Sequence, residues 1–249
     1  MGTVEVHLPR RSLDLPPAYT LVAPENGDAF AHARRIAGDA ETGTLVWTPT
    51  PDLFEFALVL SPDEPLASAR RAFFVAMSAL ADAVGSVCPP EKRVSFDWPD
   101  VMRFDGARLG GGRLAWPQRC GEDETPGWLV FSAMLLATKR GAGDPGLTPD
   151  STSLEDEHCA ADDHGELIER FARYLLVAFD LMADKGFDAV GDQYLWRLAQ
   201  PHSDGRPRIE DNGDLIINAA DASRVERLPL VSSLAAAAWL DPDTGRPRL

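Results

Sequence analysis

Basic side chains are scarce in this chain. Its 249 residues carry 24 Lys and Arg against 39 Asp and Glu, which gives a formal charge of −15. Nucleic acids and anionic membrane surfaces are bound by clusters of Lys and Arg. The composition therefore predicts neither of them as a partner. A local pocket can still hold a small anion in an acidic protein, so the charge balance does not exclude an anionic ligand.

The sequence also lacks a long apolar run and any paired cysteine motif. No stretch of 18 apolar residues is present, and residues 1–7 have neither the basic start nor the apolar core of a secretion signal. Cys88, Cys120 and Cys159 are odd in number and far apart. We expect reduced thiols in a cytoplasmic protein without a membrane partner.

Metal-ligand and nucleophile patterns are weak as well. Acidic and histidine side chains gather between Glu155 and His164, including Asp162 and Asp163, but they show no HExxH motif or paired ligand spacing. A solvated loop before a helix explains them, and no metal is predicted. Neither Cys88 nor Cys120 has a neighbouring His in sequence, which favours structural thiols over a nucleophile.

The pattern of apolar residues predicts an α+β protein in which strand hairpins lie beside separate helices. The expected helices cover about 29–36, 66–84, 166–185 and 232–239, and Gly85 is expected to end the second of them. Strands are expected near 44–47, 54–60, 94–114 and 127–136. Composition changes near residue 200, which predicts a main domain over 1–200 and a small hairpin-plus-helix domain over 201–249 that docks on it.

The segment from Val94 to Leu114 is the most informative part of the chain. Pro99 cannot donate to a strand ladder, so it ends the first strand. Asp105-Gly106 is a strong hairpin signal. Gly110 to Gly112 then leave a floor without side chains, over which a ligand or another backbone can approach closely. An ordinary hairpin softened by glycine explains the same spacing.

This segment resembles the catalytic domain of biotin/lipoate protein ligases, whose signature is Lys-Trp-Pro-Asn-Asp, a short turn, and Lys-Leu-Ala-Gly-Ile. Aligned without gaps, Trp98, Pro99, Leu109 and Gly111 match that signature. The resemblance implies a central mixed sheet flanked by helices, with a small C-terminal domain as in bacterial-type members. It also implies an enzyme that joins a carboxylate to AMP and passes the acyl group to a lysine of an acceptor protein.

The departures from the signature change the charges of the implied site. They are Asp97 for the first Lys, Asp100 for Asn, Val101 for Asp, Arg108 for the second Lys, and Gly110 and Gly112 for Ala and Ile. The family's Gly/Arg-rich phosphate loop corresponds to Thr48–Asp52, which contains neither glycine nor arginine. Arg108 keeps a positive charge and is the candidate catalytic residue, able to bind a carboxylate through two hydrogen bonds.

The resemblance therefore implies a divergent member that binds a small carboxylic acid or acyl derivative and has lost adenylation. One alternative is an active biotin- or lipoate-type ligase or acyltransferase with rebuilt nucleotide contacts, which would use ATP with biotin or lipoate. Another is a non-enzymatic interaction scaffold. The candidate substrate-binding residues are Trp98, Asp100, Gly110, Gly111 and Gly112.

Two expectations concern the direction of Arg108. Side chains alternate along a strand, so Arg108 should share a face with Gly110 and Gly112 rather than with Leu109 and Gly111. A guanidinium on that face, beside bare backbone, would supply the main positive charge of a pocket. A structural role is the open alternative, in which Arg108 pairs with Asp97 across the hairpin.

Overall fold

The computed structural model describes residues 12–24, 27–47, 49–143, 145–159, 164–199, 206–218 and 225–249. These residues form an α+β fold, as the sequence predicts. The strands are β1 (Thr20–Val22), β2 (Thr44–Trp47), β3 (Leu53–Leu60), β4 (Val94–Asp97), β5 (Val101–Phe104), β6 (Ala107–Ala115), β7 (Leu129–Leu136), β8 (Arg206–Ile209), β9 (Leu215–Asn218) and β10 (Val225–Leu228). The helices are α1 (Ala29–Ile36), α2 (Leu66–Ala69), α3 (Ala72–Val87), α4 (His164–Lys185), α5 (Phe187–Arg197) and α6 (Leu230–Ala236).

A mixed sheet of seven strands is the centre of the fold. Its order is β1-β2-β3-β7-β6-β5-β4, with β1 and β2 parallel and the other neighbours antiparallel. Helices α3, α4 and α5 pack together over one face, where Phe54, Phe56 and Phe131 enter the main core. Helix α1 covers part of the other face, against Val46 and Val130. Both faces of β3 and β7 are thus covered, which explains their nearly continuous apolar sequences.

Helix α3 passes through Gly85, so the predicted stop there is wrong. The helix continues to Val87, and the amide of Cys88 still donates to the carbonyl of Val84. A glycine in a helix costs about 1 kcal/mol relative to alanine. Burial of most of this helix against the sheet outweighs that cost. Helix α1 covers the predicted range, and Asp28 caps it by accepting a hydrogen bond from the amide of Ala31.

The region 94–115 contains three strands, one more than the sequence indicated. Strands β4 and β5 form one hairpin around Trp98-Pro99-Asp100, and β5 and β6 form a second around Asp105-Gly106. In the second ladder Met102 lies opposite Gly110, whereas Arg103 lies opposite Arg108. Leu109 is therefore an extra residue, a bulge that reverses the alternation of side chains along β6.

Helix α5 and strand β10 were not predicted, and α6 begins two residues earlier than expected. The buried side chains of α5 are Phe187, Val190 and Tyr194, a helical spacing that was present in the sequence. Leu215, Ile217 and Leu230 join the main core, so the C-terminal strands and helix dock on the larger part as expected. The division at residue 200 stays a prediction, because residues 200–205 lie outside the described ranges.

The expectation of three reduced thiols is wrong. Cys88, at the end of α3, and Cys159, just before α4, form a disulfide across 71 residues, and Cys120 is the free cysteine. No sequence motif indicates this disulfide, because only the fold brings the two cysteines together. Localisation in the cytoplasm loses the support of reduced thiols and stays a prediction. None of the described helices combines the length and the apolar character needed to cross a membrane.

Reduction should destabilise the protein. A disulfide that closes a loop of this size contributes about 2–4 kcal/mol to the free energy of unfolding. We expect the Cys88→Ser variant to lose that amount in denaturant unfolding, and dithiothreitol to lower the melting temperature of the wild type but not of the variant.

Cys120→Ser is the matched control and should leave the dithiothreitol effect intact. Titration of thiols in denaturant without reductant should give one thiol per wild-type chain. Three titratable thiols would contradict the disulfide.

Candidate functional site

The three glycines of β6 face three different neighbours. A Cβ atom on Gly110 would lie 2.0 Å from the carbonyl oxygen of Met134 on β7, and one on Gly112 would lie 2.6 Å from the sulfur of Met77 on α3. Gly110 therefore lets β6 lie close to β7 within the sheet, and Gly112 lets α3 approach the sheet closely. Of these three glycines, Gly111 is the one that faces the side of the sheet opposite α3. The surface without side chains that the sequence predicts is therefore reduced to this residue.

The space over Gly111 is filled by the indole of Trp239. A Cβ atom on Gly111 would lie 2.5 Å from that ring and 2.5 Å from the carbonyl oxygen of Asp100. Trp239 is fully buried in a small cluster with Leu53, Val101 and two β7 side chains. A planar ring therefore lies directly on bare backbone, which only glycine permits at this distance.

Asp100 is the polar partner of that ring. Its Oδ2 accepts a hydrogen bond of 3.0 Å from Nε1 of Trp239, and the residue is only 2% exposed. Burial raises the pKa of Asp100 from 3.8 to about 7, and the hydrogen bond from Trp239 opposes part of that rise. A buried acceptor beside a flat surface can orient the N–H donor of a bound ring.

Arg108 points toward the C-terminal residues. Its Nε donates to the carbonyl of Arg248 at 3.1 Å, and its second terminal nitrogen donates to the carbonyl of Leu249 at 3.3 Å. The predicted alternation is wrong here, because the bulge at Leu109 breaks it: Leu109 enters the helix-side core, whereas Arg108 lies with Leu53 and Leu136 on the Trp239 side. Burial and the nearby guanidinium of Arg103 lower the pKa of Arg108.

Two other candidates occupy different places from those expected. Asp97 accepts a hydrogen bond of 2.7 Å from Arg103, so its partner across the hairpin is not Arg108. Trp98 stacks on Phe74 at 5.4 Å between ring centroids and contacts Tyr194, both within the helix-side core. Trp98 therefore lies across the sheet from Trp239, where its ring packs against the helix-side core.

Arg108 borders a cavity of about 570 Å³. It lies between the end of β7, the residues after it and the C-terminal residues. The charged side chains that line it are Asp52, Arg108, Lys139, Asp241, Arg246 and Arg248. Four cations against two acids make this a locally positive site in an acidic protein, which is the environment that an anionic ligand requires.

Lys139 was not singled out from the sequence, and no motif marks it. Its ammonium group donates to the carbonyls of Thr148 at 3.0 Å and Ser151 at 2.7 Å. The same loop pairs with β6, since the amide of Arg108 donates to the carbonyl of Asp150. The loop after β7 thus fixes the backbone of Arg108 and the head group of Lys139 together.

A buried ion pair lies further along the same face of the sheet. Arg113 and Glu55 are 3.5 Å apart, and the guanidinium of Arg113 lies 4.3 Å from the ring centroid of Phe30. Burial, with a smaller contribution from Asp28, raises the pKa of Glu55 to about 7, while Arg113 opposes the rise. The sequence held a signal for this pair: Glu55 is the one charged residue of β3, and Arg113 is two residues beyond Gly111.

The acidic and histidine candidates between Glu155 and His164 are described only in part. The described residues bring together no group of three His, Cys, Asp or Glu side chains that could hold a metal ion. Glu157 bonds Lys92 and Thr152, and Glu155 pairs with Arg140. Asp162 and Asp163 lie outside the described ranges. So does Thr48, the first residue of the connection that replaces the Gly/Arg-rich loop.

Comparison with known proteins gives a consistent result. Residues 15–196, more than half of the chain, match the model of the biotin/lipoate A/B protein ligase family. The chain is 28% identical over 194 residues to the biotin–[acetyl-CoA-carboxylase] ligase of Paracoccus denitrificans, a match that covers 76% of this chain and 77% of that protein.

Solved structures agree with the fold. A biotin protein ligase-like protein of unknown function from Silicibacter sp. TM1040 superposes with a TM-score of 0.75 and 27% identity, over 89% of this chain and 99% of that one. The biotin protein ligase of Aquifex aeolicus superposes with a TM-score of 0.61 and 12% identity, over 88% of this chain and 97% of that one. The second likeness supports the α+β fold alone.

Asp100 should make stability depend on pH. The folded protein keeps the Asp100 proton up to about pH 7, whereas the unfolded chain releases it near 3.8. Between these values the folded state binds more protons, so this contribution to stability is lost as pH rises, at up to about 1.4 kcal/mol per pH unit. Asp100→Asn stays neutral and should gain stability relative to the wild type from pH 4 to 7.

Denaturant unfolding at several pH values measures this difference. Asp123→Asn, at an exposed position, is the control and should run parallel to the wild type. A constant difference between Asp100→Asn and wild type across pH 4–7 would show that Asp100 is charged in the folded protein.

Proposed function

We propose that this chain, which belongs to the biotin/lipoate A/B protein ligase family, is a divergent member that binds a small carboxylic acid or its acyl derivative. In this proposal the carboxylate binds Arg108, and the rest of the ligand lies over Gly111 with Asp100 as its polar contact. The relative in Paracoccus denitrificans is named a biotin ligase, so biotin is the first acid to test. The cytoplasm remains the expected compartment.

The hydrogen bonds of Arg108 carry this proposal. Its guanidinium donates one bond to the carbonyl of Arg248 and one to an oxygen of Leu249, the last residue of the chain, and both bonds are longer than 3.0 Å. A bound carboxylate would replace them with two shorter, parallel, charge-assisted hydrogen bonds. The guanidinium also borders the 570 Å³ cavity, so an acid can reach it.

Adenylation is the step that the proposal omits. The connection after β2 ends in Pro49-Thr50-Pro51-Asp52 and offers no arginine to a phosphate group. At the other cation position of the family signature, Asp97 stands on β4, paired with Arg103. A carboxylate there cannot neutralise the charge that builds up on a phosphate in the transition state. Binding of the acid without transfer to AMP is the outcome we expect.

A second candidate is an active ligase with rebuilt nucleotide contacts, and the lining of the cavity favours it. Lys139, Arg246 and Arg248 add three cations beside Arg108, and none of them belongs to the family's phosphate loop. Phosphate groups are held by such clusters of Lys and Arg. In that case the acceptor would be a lysine of a biotin-dependent carboxylase, as the name of the Paracoccus denitrificans relative suggests.

Binding of biotin and of lipoate, measured by titration calorimetry, tests the first candidate. Loss of the Arg108 contact in Arg108→Ala should cost about 1.5–3 kcal/mol of binding free energy, the range for hydrogen bonds to charged groups. Arg173→Ala removes the same charge from α4, on the other side of the sheet, and should bind as the wild type does. Equal affinity of wild type and Arg108→Ala would exclude Arg108 as the carboxylate contact.

Pyrophosphate release from ATP separates the two candidates. We expect no release above background when biotin or lipoate is added to the wild type, since the phosphate loop is replaced and Asp97 stands at a cation position. Acid-dependent release that Lys139→Ala abolishes would instead establish the active ligase. Failure of both acids to bind, together with absence of release, would favour the interaction scaffold.

A further inference from the structure

The C-terminal residues 237–249, called the closing segment below, contact every group that the proposed function assigns to the ligand. The ring of Trp239 lies on Gly111, and its Nε1 donates to Asp100. The carbonyls of Arg248 and Leu249 accept the hydrogen bonds of Arg108. One segment therefore occupies the ring position, the buried acceptor and the cation at the same time.

We infer that the closing segment is a built-in competitor of the ligand, an inference that rests on the proposed function. Trp239 takes the place of a planar ring with an N–H donor, and the segment must move away before such a ligand binds. The matching ligand is a carboxylic acid whose ring N–H reaches Asp100 while its carboxylate reaches Arg108.

Trp239 covers Gly111, so a ligand ring can reach this glycine only if the closing segment moves. The described residues that line the 570 Å³ cavity include Arg108 but neither Gly111 nor Asp100. Both of these lie beneath Trp239, which has no exposed surface. A carboxylate can therefore reach Arg108 from the cavity, but a ring cannot reach Gly111 while Trp239 is in place.

The closing segment contains an internal turn of its own. Within it, the amide of Arg248 donates to the carbonyl of Trp239, and the amide of Asp241 donates to the carbonyl of Arg246. Its polar contacts with the sheet, besides those of Trp239 and Arg108, include a 3.5 Å pair between Arg246 and Asp52, both more than half exposed. Exposed ion pairs contribute little to stability. Opening would therefore break the contacts of Trp239 with the floor and the bonds from Arg108, while the bonds within the turn remain.

The junction with α6 also favours opening. Ala237 follows the last residue of that helix with φ 29° and ψ 58°, in the left-handed region. The Cβ atom of alanine makes this conformation unfavourable. A strained residue of this kind persists only while surrounding contacts hold it. Movement of the closing segment would release that strain, so Ala237 is the expected hinge.

Hydrogen exchange of the full-length protein tests the opening without a ligand. We expect the indole N–H of Trp239, whose bond to Asp100 breaks when the segment moves, to exchange through a local opening, faster than the amides of the β3–β7 ladder. Addition of biotin should speed its exchange further, because the ligand displaces the segment. Exchange at the rate of the ladder, or slower exchange with biotin, would overturn the inference.

Leu240→Ala tests the competition by binding. Leu240 is half-buried and packs against the Trp239 cluster, so its truncation loosens the segment without a change of charge. We expect biotin to bind this variant more tightly, on the order of fivefold, because a larger fraction of molecules is open. Leu234→Ala is the matched control: this half-buried leucine lies on α6 and packs against the main core, so affinity should not change.

Trp239→Ala tests the ring position, provided that the variant keeps the circular dichroism spectrum of the wild type and unfolds cooperatively. It should bind biotin on the order of tenfold or more tightly than the wild type. Indole alone should bind the vacated space in this variant and should lose affinity in Trp239→Ala/Asp100→Ala. If Trp239→Ala fails to fold, Leu240→Ala and hydrogen exchange decide the question.

The outcomes separate this inference from the proposed function. Biotin binding that depends on Arg108 but does not increase in Leu240→Ala would leave the proposed function intact and overturn the competitor. Absence of biotin and lipoate binding in wild type, Leu240→Ala and Trp239→Ala would contradict the proposed function itself. Failure of indole to bind a folded Trp239→Ala would overturn the ring site in either case.

Discussion

Close contact at the three glycines of β6 decides how the layers of this protein fit together. Gly112 admits Met77 of α3 on one face, Gly110 admits the backbone of β7 within the sheet, and Gly111 admits an aromatic ring on the other face. A side chain at any of these positions would lie within 2.6 Å of a neighbouring atom. The same short run therefore sets the distance from sheet to helices and leaves the bare surface on which the site is built.

The two faces of the seven-stranded sheet differ in composition. The helix face is apolar and aromatic, with Phe56, Phe131 and Phe171 in mutual contact. The other face carries the polar groups, Glu55, Asp100, Arg108 and Arg113, spaced between α1 and the C-terminal residues. Burial raises the pKa of Glu55 and of Asp100 to about 7. This face therefore carries acids that change their charge near neutral pH.

The sequence predicted what depends on local pattern. The α+β class and the turn at Asp105-Gly106 follow from residues close together in the chain. The disulfide, the pairing of Asp97 with Arg103 and the position of Trp239 depend on contacts between distant or shifted residues. The bulge at Leu109 is instructive, since one extra residue was enough to move Arg108 to the opposite face.

The apolar core and the altered charges lie on different faces of the sheet. This explains how the chain keeps the family's fold although the charges of the site differ. Most of the folding free energy arises from apolar burial, which lies largely on the helix face and in β3 and β7. Replacement of a lysine by Asp97 or an asparagine by Asp100 changes the other face and leaves that core untouched. A buried carboxyl group such as that of Asp100 is destabilising unless its acceptor oxygen receives a hydrogen bond. The indole N–H of Trp239 supplies that donor, so the altered site and the C-terminal residues are understood best as a single unit.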